Sequence, residues 1–445
     1  MADAPVLPDG PLATWVAAQR WFSGLRGDAL TVIASLPLSA DGGARALLLR
    51  DASPDAEAVY QVPVVDGPGR AIPGTTLADG PHDPAFVTAL LRLMLDGAEA
   101  RGDGTTADGV RIGWAGPAPR VRTATVLSGE QSNTSIIVEA ETADGGSAGL
   151  MVKVFRALHD GENPDVVLQS AISAAGSTRV PATYAALVGT WPDDRVAGGV
   201  ARGHLAVVQE FLPGTRDAWR VALDAARAGE DFTERASALG AATAEVHRVL
   251  AAALPTAQAD ETAREAALAG MRSRAAQAVA LVPTLSAAGA AITAAISAGT
   301  AGGWPLLQRV HGDYHLGQVL LVPDRGWVLL DFEGEPLRPM AERSEPDLAL
   351  RDVAGMLRSF DYVAGTIAHE GGDAAAARGW AGTARAAFLE GYEAEVGASL
   401  APHAALLRAL ELDKALYECV YEVRNRPAWL PIPERAVHRL LEATA

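Results

Sequence analysis

Apolar residues of 11–22 (PLATWVAAQRWF) recur at helical spacing and predict a short amphipathic helix. Segments 30–38, 44–50 and 58–65 are apolar and β-rich, with Gly, Pro and Asp clusters between them, and predict strands. Segment 85–96 (AFVTALLRLMLD) reads as a helix started by Asp83 and Pro84. A polar, glycine-rich stretch at 101–109 (RGDGTTADG) reads as a break. Strand patterns follow at 122–127, 135–140 and 149–155, and another at 205–212 stops at Pro213-Gly214. From about 217 the pattern turns helical, with alanine-rich stretches to about 299. A strand–loop–strand segment at 304–333 interrupts it, and helices are expected at 347–365, 374–396 and 402–426.

The expected fold class is α+β. Its order is a small cap (1–105), a β-rich lobe (106–214) and a helical lobe (215–445). A length of 445 residues suits two or three domains. No apolar run reaches the roughly 18–20 residues that span a bilayer, so no membrane partner is expected. The first residues, MADAPVLPDG, lack the basic stretch of a secretory signal. Cys419 is the sole cysteine, which fits a reducing cytoplasm. A monomer is favoured.

Charge narrows the function. With 37 Lys+Arg against 54 Asp+Glu, the net charge of −17 and the lack of a basic run argue against nucleic acid. The same field repels nucleotides, so a nucleotide site here needs local donors and a metal ion. Only Lys153 and Lys414 are lysines; the other basic side chains are arginine. A lysine kept in such a chain is a candidate for a compact point charge.

The strongest motif is His311-Gly312-Asp313-Tyr314-His315-Leu316-Gly317-Gln318, followed by Leu329-Leu330-Asp331-Phe332-Glu333. Phosphoryl transfer to an alcohol needs a carboxylate for the hydroxyl and oxygen ligands for Mg²⁺. Protein kinases place an amide ligand five residues after the catalytic Asp and a second Asp after the next strand. Asp313, Gln318 and Asp331 have that spacing. The bland alternative is a polar turn. His311, Asp313 and His315 also form H-x-D-x-H, leaving a zinc hydrolase as a competing class. Lys153 sits inside the apolar strand LMVKVF, a costly place unless its ammonium is paired. The preceding turn, with Ser128, Gly129, Ser132, Asn133 and Thr134, could cover phosphates with backbone N–H groups, although no Gly-Lys of a Walker loop occurs. Gln209, Glu210, Phe211 and Leu212 end a strand where adenine could meet backbone groups. On a helix, Glu411, Lys414, Glu418, Tyr421 and Glu422 share roughly one face, with Trp429 beyond. Such a stripe suits sugar hydroxyls or the ammonium of an amino sugar, with a solvated charged face the bland alternative. His315 and Glu333 complete the candidate acceptor set.

The segments LSGEQSNTS, VKVF, GENPD, VVQEFLPG, HGDYHLGQVL, DFEGEP, RDVAGMLRSFDY and YEVRNRPAWLPIP together resemble the actinobacterial maltokinases and their relatives. These are aminoglycoside-phosphotransferase-like enzymes with a eukaryotic-protein-kinase-like bilobal fold, and the likeness runs from about residue 12 to 434. It implies ATP and Mg²⁺, with Asp313 as catalytic base, Gln318 and Asp331 as Mg²⁺ ligands, and Lys153 on the phosphates. The family includes kinases of free glucosamine that act at O6. Departures from the maltokinase pattern occur at Leu25, Val167 and Tyr314. Val167 stands where a glutamate partner for the lysine is expected, leaving Asp165 or Glu162 as substitutes. Glucosamine is the expected acceptor, with maltose the alternative and a catalytically silent sugar-binding module the third reading.

Overall fold

Alternating apolar positions in the first half of the chain pair as antiparallel strands. The structure is a computed structural model and describes residues 10–22, 30–51, 59–67, 69–127, 133–335 and 340–442. Two compact units result, 1–174 with 181–212, and 175–180 with 213–445. Ser128, Gly129 and Ser132 of the expected phosphate turn, and Leu25, lie outside the described residues.

The first unit begins with α1 (Pro11–Ala17), shorter than expected. Strands β1 (Leu30–Pro37), β2 (Ala44–Asp51) and β3 (Val59–Asp66) form a meander, with β4 (Leu77–Asp79) on β3. α2 (Pro84–Leu95) starts where expected, because the Asp83 side chain accepts from Ala85 N at 2.8 Å. Its Phe86, Val87, Leu90, Leu91, Met94 and Leu95 are buried; each contributes about 1.5–3 kcal/mol on burial. The stretch expected as a break instead carries β5 (Glu99–Gly102) and β6 (Thr105–Arg111), joined at Asp103-Gly104. Its polarity misleads because Gly109 lets β6 run against α2: a Cβ there would lie 2.0 Å from Leu93 O.

The expected strands follow as β7 (Arg120–Val126), β8 (Asn133–Glu141) and β9 (Ser147–Phe155). After β10 (Ala157–Leu158) come two elements that the pattern did not reveal, α3 (Pro164–Ala174) and β11 (Thr183–Pro192). The run of β11 is buried almost throughout, so it shows no alternation. β12 (Val200–Glu210) begins earlier than expected. The larger sheet runs β5-β6-β11-β12-β9-β8-β7, and β10 joins the meander through β3.

The second unit holds β13 (Arg216–Asp217), α4 (Ala218–Ala228), α5 (Thr233–Ala253), α6 (Glu261–Leu281), α7 (Gly289–Thr300) and β14 (Leu307–Gln308). Next come the hairpin β15 (Val319–Val322) and β16 (Gly326–Leu329), α8 (Met340–Arg343) and β17 (Asp347–Leu348). It ends with α9 (Leu350–His369), α10 (Ala374–Val396), α11 (Ala404–Asn425) and α12 (Pro431–Glu442). α5 packs on α10, and α9 and α11 pack together. No helix among the described residues is long and apolar enough to cross a membrane.

Candidate active site

Asp352, near the start of α9, organises the loop between β14 and β15. Its carboxylate accepts from His311 N at 2.8 Å, Gly312 N at 2.9 Å and His247 Nε2 at 3.0 Å. His247 is held in turn by Tyr392 Oη at 2.9 Å. Three donors satisfy a carboxylate that is 1% exposed, offsetting the cost of burying it. The same helix comes close because of Gly355, where a Cβ would lie 2.5 Å from Tyr314 O. Ser359 Oγ accepts from Leu316 N at 3.0 Å. Tyr314, one of the departures, is a core residue, and its hydroxyl meets Thr243 Oγ1 at 2.9 Å.

This loop presents Asp313 to a cavity of about 520 Å³. Lys414 Nζ donates to Asp313 Oδ1 at 3.0 Å and to Glu335 Oε1 at 2.6 Å. Burial pushes the Asp313 carboxyl upward, but the Lys414 ammonium, then His315, outweigh it and hold it down to about 2. Burial holds His315 below the ordinary imidazole range, and its Nδ1 accepts from Gly317 N at 3.0 Å. Gln318 Nε2 donates to Asp331 Oδ2 at 2.8 Å, so the spacing in sequence becomes a contact. Asp331 takes φ of 62°, a left-handed conformation unusual for a non-glycine residue and frequent at functional sites.

The H-x-D-x-H reading finds no geometry. His311 Nε2 lies 2.8 Å from the carbonyl oxygen of Leu330, and its ring stacks on Phe332. Among the described residues no three His, Cys, Asp or Glu side chains converge as a metal cluster.

The cavity brings together Asp313, His315, Glu418, Tyr421, Glu422 and Trp429. Glu418 Oε2 accepts from Arg358 Nη2 at 2.7 Å and Nε at 3.0 Å, while Oε1 has no protein partner among the described residues. Burial raises the Glu418 carboxyl even against Arg358, so the site has an under-compensated carboxylate. Glu422 is clasped by Arg426 at 2.7 Å and accepts from Tyr362 Oη at 2.9 Å. The Arg426 guanidinium also lies over the rings of Tyr421 and Trp429.

Two expected acceptor residues fall elsewhere. Glu411 is 3% exposed and gives both oxygens to Arg385, at 2.8 and 3.1 Å. Glu333 does not line the cavity either.

In the first unit, Lys153 of β9 donates to Asp165 Oδ2 at 2.9 Å. Asp165 lies in the first turn of α3, is fully buried, and also accepts from Gln169 Nε2. It is the partner left open between Asp165 and Glu162. Asn133 and Thr134 open β8, where Thr134 Oγ1 accepts from the buried Arg156 at 2.8 Å. Gln209 is buried near the end of β12; Glu210 N and Phe211 N donate to Ala182 O and Gly149 O. Leu212 follows them at the end of this unit.

Comparison with known proteins finds that the phosphotransferase enzyme family (APH) matches residues 123–403. The chain belongs to that family. A glucosamine kinase of Mycolicibacterium smegmatis is 31% identical over 429 residues, 90% of this chain and 96% of that protein. One of Streptacidiphilus jiangxiensis is 31% identical over 334 residues, 70% of this chain and 72% of that protein. A solved glucosamine kinase in complex with glucosamine, ADP and inorganic phosphate has a TM-score of 0.70 at 26% identity, covering 98% of this chain and all of that one. A second crystal form reaches 0.73 at 24% identity and agrees in fold. The kinase-like α+β fold and the phosphotransferase assignment expected from the motifs therefore hold.

Sequence reading missed several residues of this phosphotransferase's cavity, chiefly Trp219, Ser359, Tyr362, Tyr417 and Arg426. Trp219 lies on α4, nearly a hundred residues before Asp313 in the chain, and no local pattern marks it. Lys414 carried a signal in the scarcity of lysine, yet nothing in the stripe of α11 tied it to Asp313.

Proposed function

We propose that this phosphotransferase moves the γ-phosphoryl group of ATP to O6 of glucosamine, giving glucosamine 6-phosphate and ADP. The observation that carries the reading is the nearly full-length match to a glucosamine kinase, joined to a cavity in which Asp313 stands beside an under-compensated Glu418. Asp313 orients the acceptor hydroxyl for in-line attack and receives its proton as the new P–O bond forms. In a loose transition state the alcohol keeps its proton until late, so a weakly basic carboxylate suffices. Glu418 Oε1 accepts from the sugar ammonium, the charge that best compensates it. The exposed Tyr421 ring offers a face for a pyranose, with Trp429 beside it under Arg426.

Within the first unit, Lys153, steadied by Asp165, binds ATP phosphate oxygens. The segment 128–134 and the strand end Gln209–Leu212 are the candidate contacts for phosphates and adenine. Within the second, the Gln318 amide donates Nε2 to Asp331 Oδ2 at 2.8 Å; with that amide turned to present its oxygen, the amide and the carboxylate suit a hard divalent cation and would hold Mg²⁺. Mg²⁺ bound there would neutralise phosphate charge. A cytoplasmic location belongs to this reading, supported by ATP as co-substrate and by the single cysteine, Cys419, which is buried.

The test is kcat/KM for glucosamine, glucose, N-acetylglucosamine and maltose under one condition, with NMR of the product. Glucosamine should lead, with phosphate on C6. A lead for maltose, or equal rates for glucose and glucosamine, overturns the acceptor assignment. Activity should vanish with EDTA and return with Mg²⁺.

A further inference from the structure

Both lysines of this arginine-rich chain end against carboxylates. Lys153 has the nucleotide role proposed above, whereas Lys414 has none in the mechanism so far. Yet its ammonium is the group tied directly to Asp313, at 3.0 Å from Oδ1. A second anchor, Glu335 Oε1 at 2.6 Å, follows the Asp331 motif, and the Tyr417 ring centroid lies 4.8 Å from Nζ. Lys414 itself projects from α11, so three separate segments fix one ammonium. Elsewhere the chain uses arginine as its cation. A compact ammonium at this point can bridge two carboxylate oxygens without spreading donors across the cavity, as a guanidinium would.

We propose that Lys414 is a positioning residue for phosphoryl transfer, engaging Asp313 Oδ1 so that Oδ2 is left, ionised and aimed, for the acceptor hydroxyl. The inference rests on the kinase reading. The acceptor oxygen bonds to the γ-phosphorus, the bond from that phosphorus to the β-γ bridging oxygen breaks with its electron pair leaving on ADP, and the hydroxyl proton passes to Asp313 Oδ2. Lys414 remains protonated throughout. Without it, Asp313 would be a buried carboxylate facing Glu335, with His311, His315, Arg343 and the Tyr417 hydroxyl among the described groups nearby. Burial would then dominate and push its carboxyl upward, in agreement with the leading downward contribution of Lys414.

The experiment compares wild type, K414M, K414R and E335Q by kcat and KM from about pH 4 to 9, with thermal unfolding alongside. Wild type is assayed first with glucosamine; no turnover there overturns the function reading itself. With wild type active, K414M should lose about 10²-fold or more in kcat while KM for ATP stays within about threefold. It should also gain an acidic limb between about pH 4 and 6 that wild type lacks. K414R should remove that limb and recover about tenfold in kcat, because it returns the charge but not the fit. K414M kcat within about threefold of wild type overturns the proposal, as does a loss with no new limb and no recovery in K414R. Should K414M fail to fold, E335Q decides: a fall in kcat of about fivefold or more at unchanged KM supports the proposal, and an unchanged kcat overturns it.

Discussion

Lys153 Nζ lies 2.9 Å from Asp165 Oδ2, and that carboxylate is fully buried in the first turn of α3. The ammonium is thereby held by a helix, so on the proposed ATP role of Lys153 the helix α3 would be part of the nucleotide apparatus. Lys153→Arg should lose about 10²-fold in kcat/KM for ATP despite keeping its charge, since the forked guanidinium cannot occupy the same point. Asp165→Asn should raise KM for ATP while circular dichroism stays native. Unchanged KM and kcat in both variants would remove Lys153 from the site.

Asp313→Asn should fold normally, bind ATP and lose about 10²–10⁴-fold in turnover, because the amide cannot take the hydroxyl proton. The pH behaviour of wild type follows from a carboxyl held down to about 2 against an ordinary value of about 3.9. A depressed folded value stabilises the fold above the ordinary value, and that contribution is lost as pH falls through 2. Asp313 therefore stays ionised wherever the protein works, and it should produce no acidic limb in kcat above about pH 4. Such a limb, absent from a variant lacking this carboxylate, would contradict the assignment.

Asp352 ties the candidate catalytic loop to α5 by three hydrogen bonds, two from loop N–H groups and one from His247, without lining the cavity. Asp352→Ala strands two backbone N–H groups and His247 in a buried place, at about 1–3 kcal/mol for each unsatisfied group. A loss of about 3 kcal/mol or more in urea unfolding is expected, together with a fall in kcat. A loss under about 1 kcal/mol would mean that water replaces the carboxylate.

The candidate catalytic loop was legible as a motif because that chemistry fixes short spacings: Asp313, Gln318 and Asp331 sit on one loop and just beyond the hairpin that follows it. The acceptor wall was legible only in part. Glu411 and Glu418 lie two turns apart on one stripe of α11, and the stripe predicts a common fate for them. However, α11 packs against α6, α7, α9 and α12, and it is buried nearly all round. A helix enclosed on every side has no single functional face, so Arg385 captures Glu411 while Glu418 reaches the cavity. Asp165 could not be chosen over Glu162 from sequence, because the choice depends on where α3 packs. Trp219 and Tyr362 reach the cavity from helices far apart in the chain, and only tertiary structure assembles them.

In the proposed function, recognition of the amino sugar rests on Glu418. Of the cavity carboxylates, Asp313 has Lys414 and Glu422 has Arg426 and Tyr362, whereas Glu418 shares one oxygen with Arg358 and keeps the other unpartnered among the described residues. Burial raises its carboxyl even with Arg358 and Lys414 holding it down. An ammonium placed at Oε1 lowers the cost of the charge, and a neutral hydroxyl does so less well. Glu418→Gln retains an oxygen for Arg358 but removes the charge. It should cut kcat/KM for glucosamine by about 10²-fold and leave the slow reaction with glucose within about threefold. The glucosamine preference over glucose would then collapse without a general loss of catalysis. Equal falls for both sugars would show that Glu418 supports the fold of the wall rather than the ammonium. Retention of the preference in the variant would move recognition to Glu422, where Arg426 would first have to release its carboxylate.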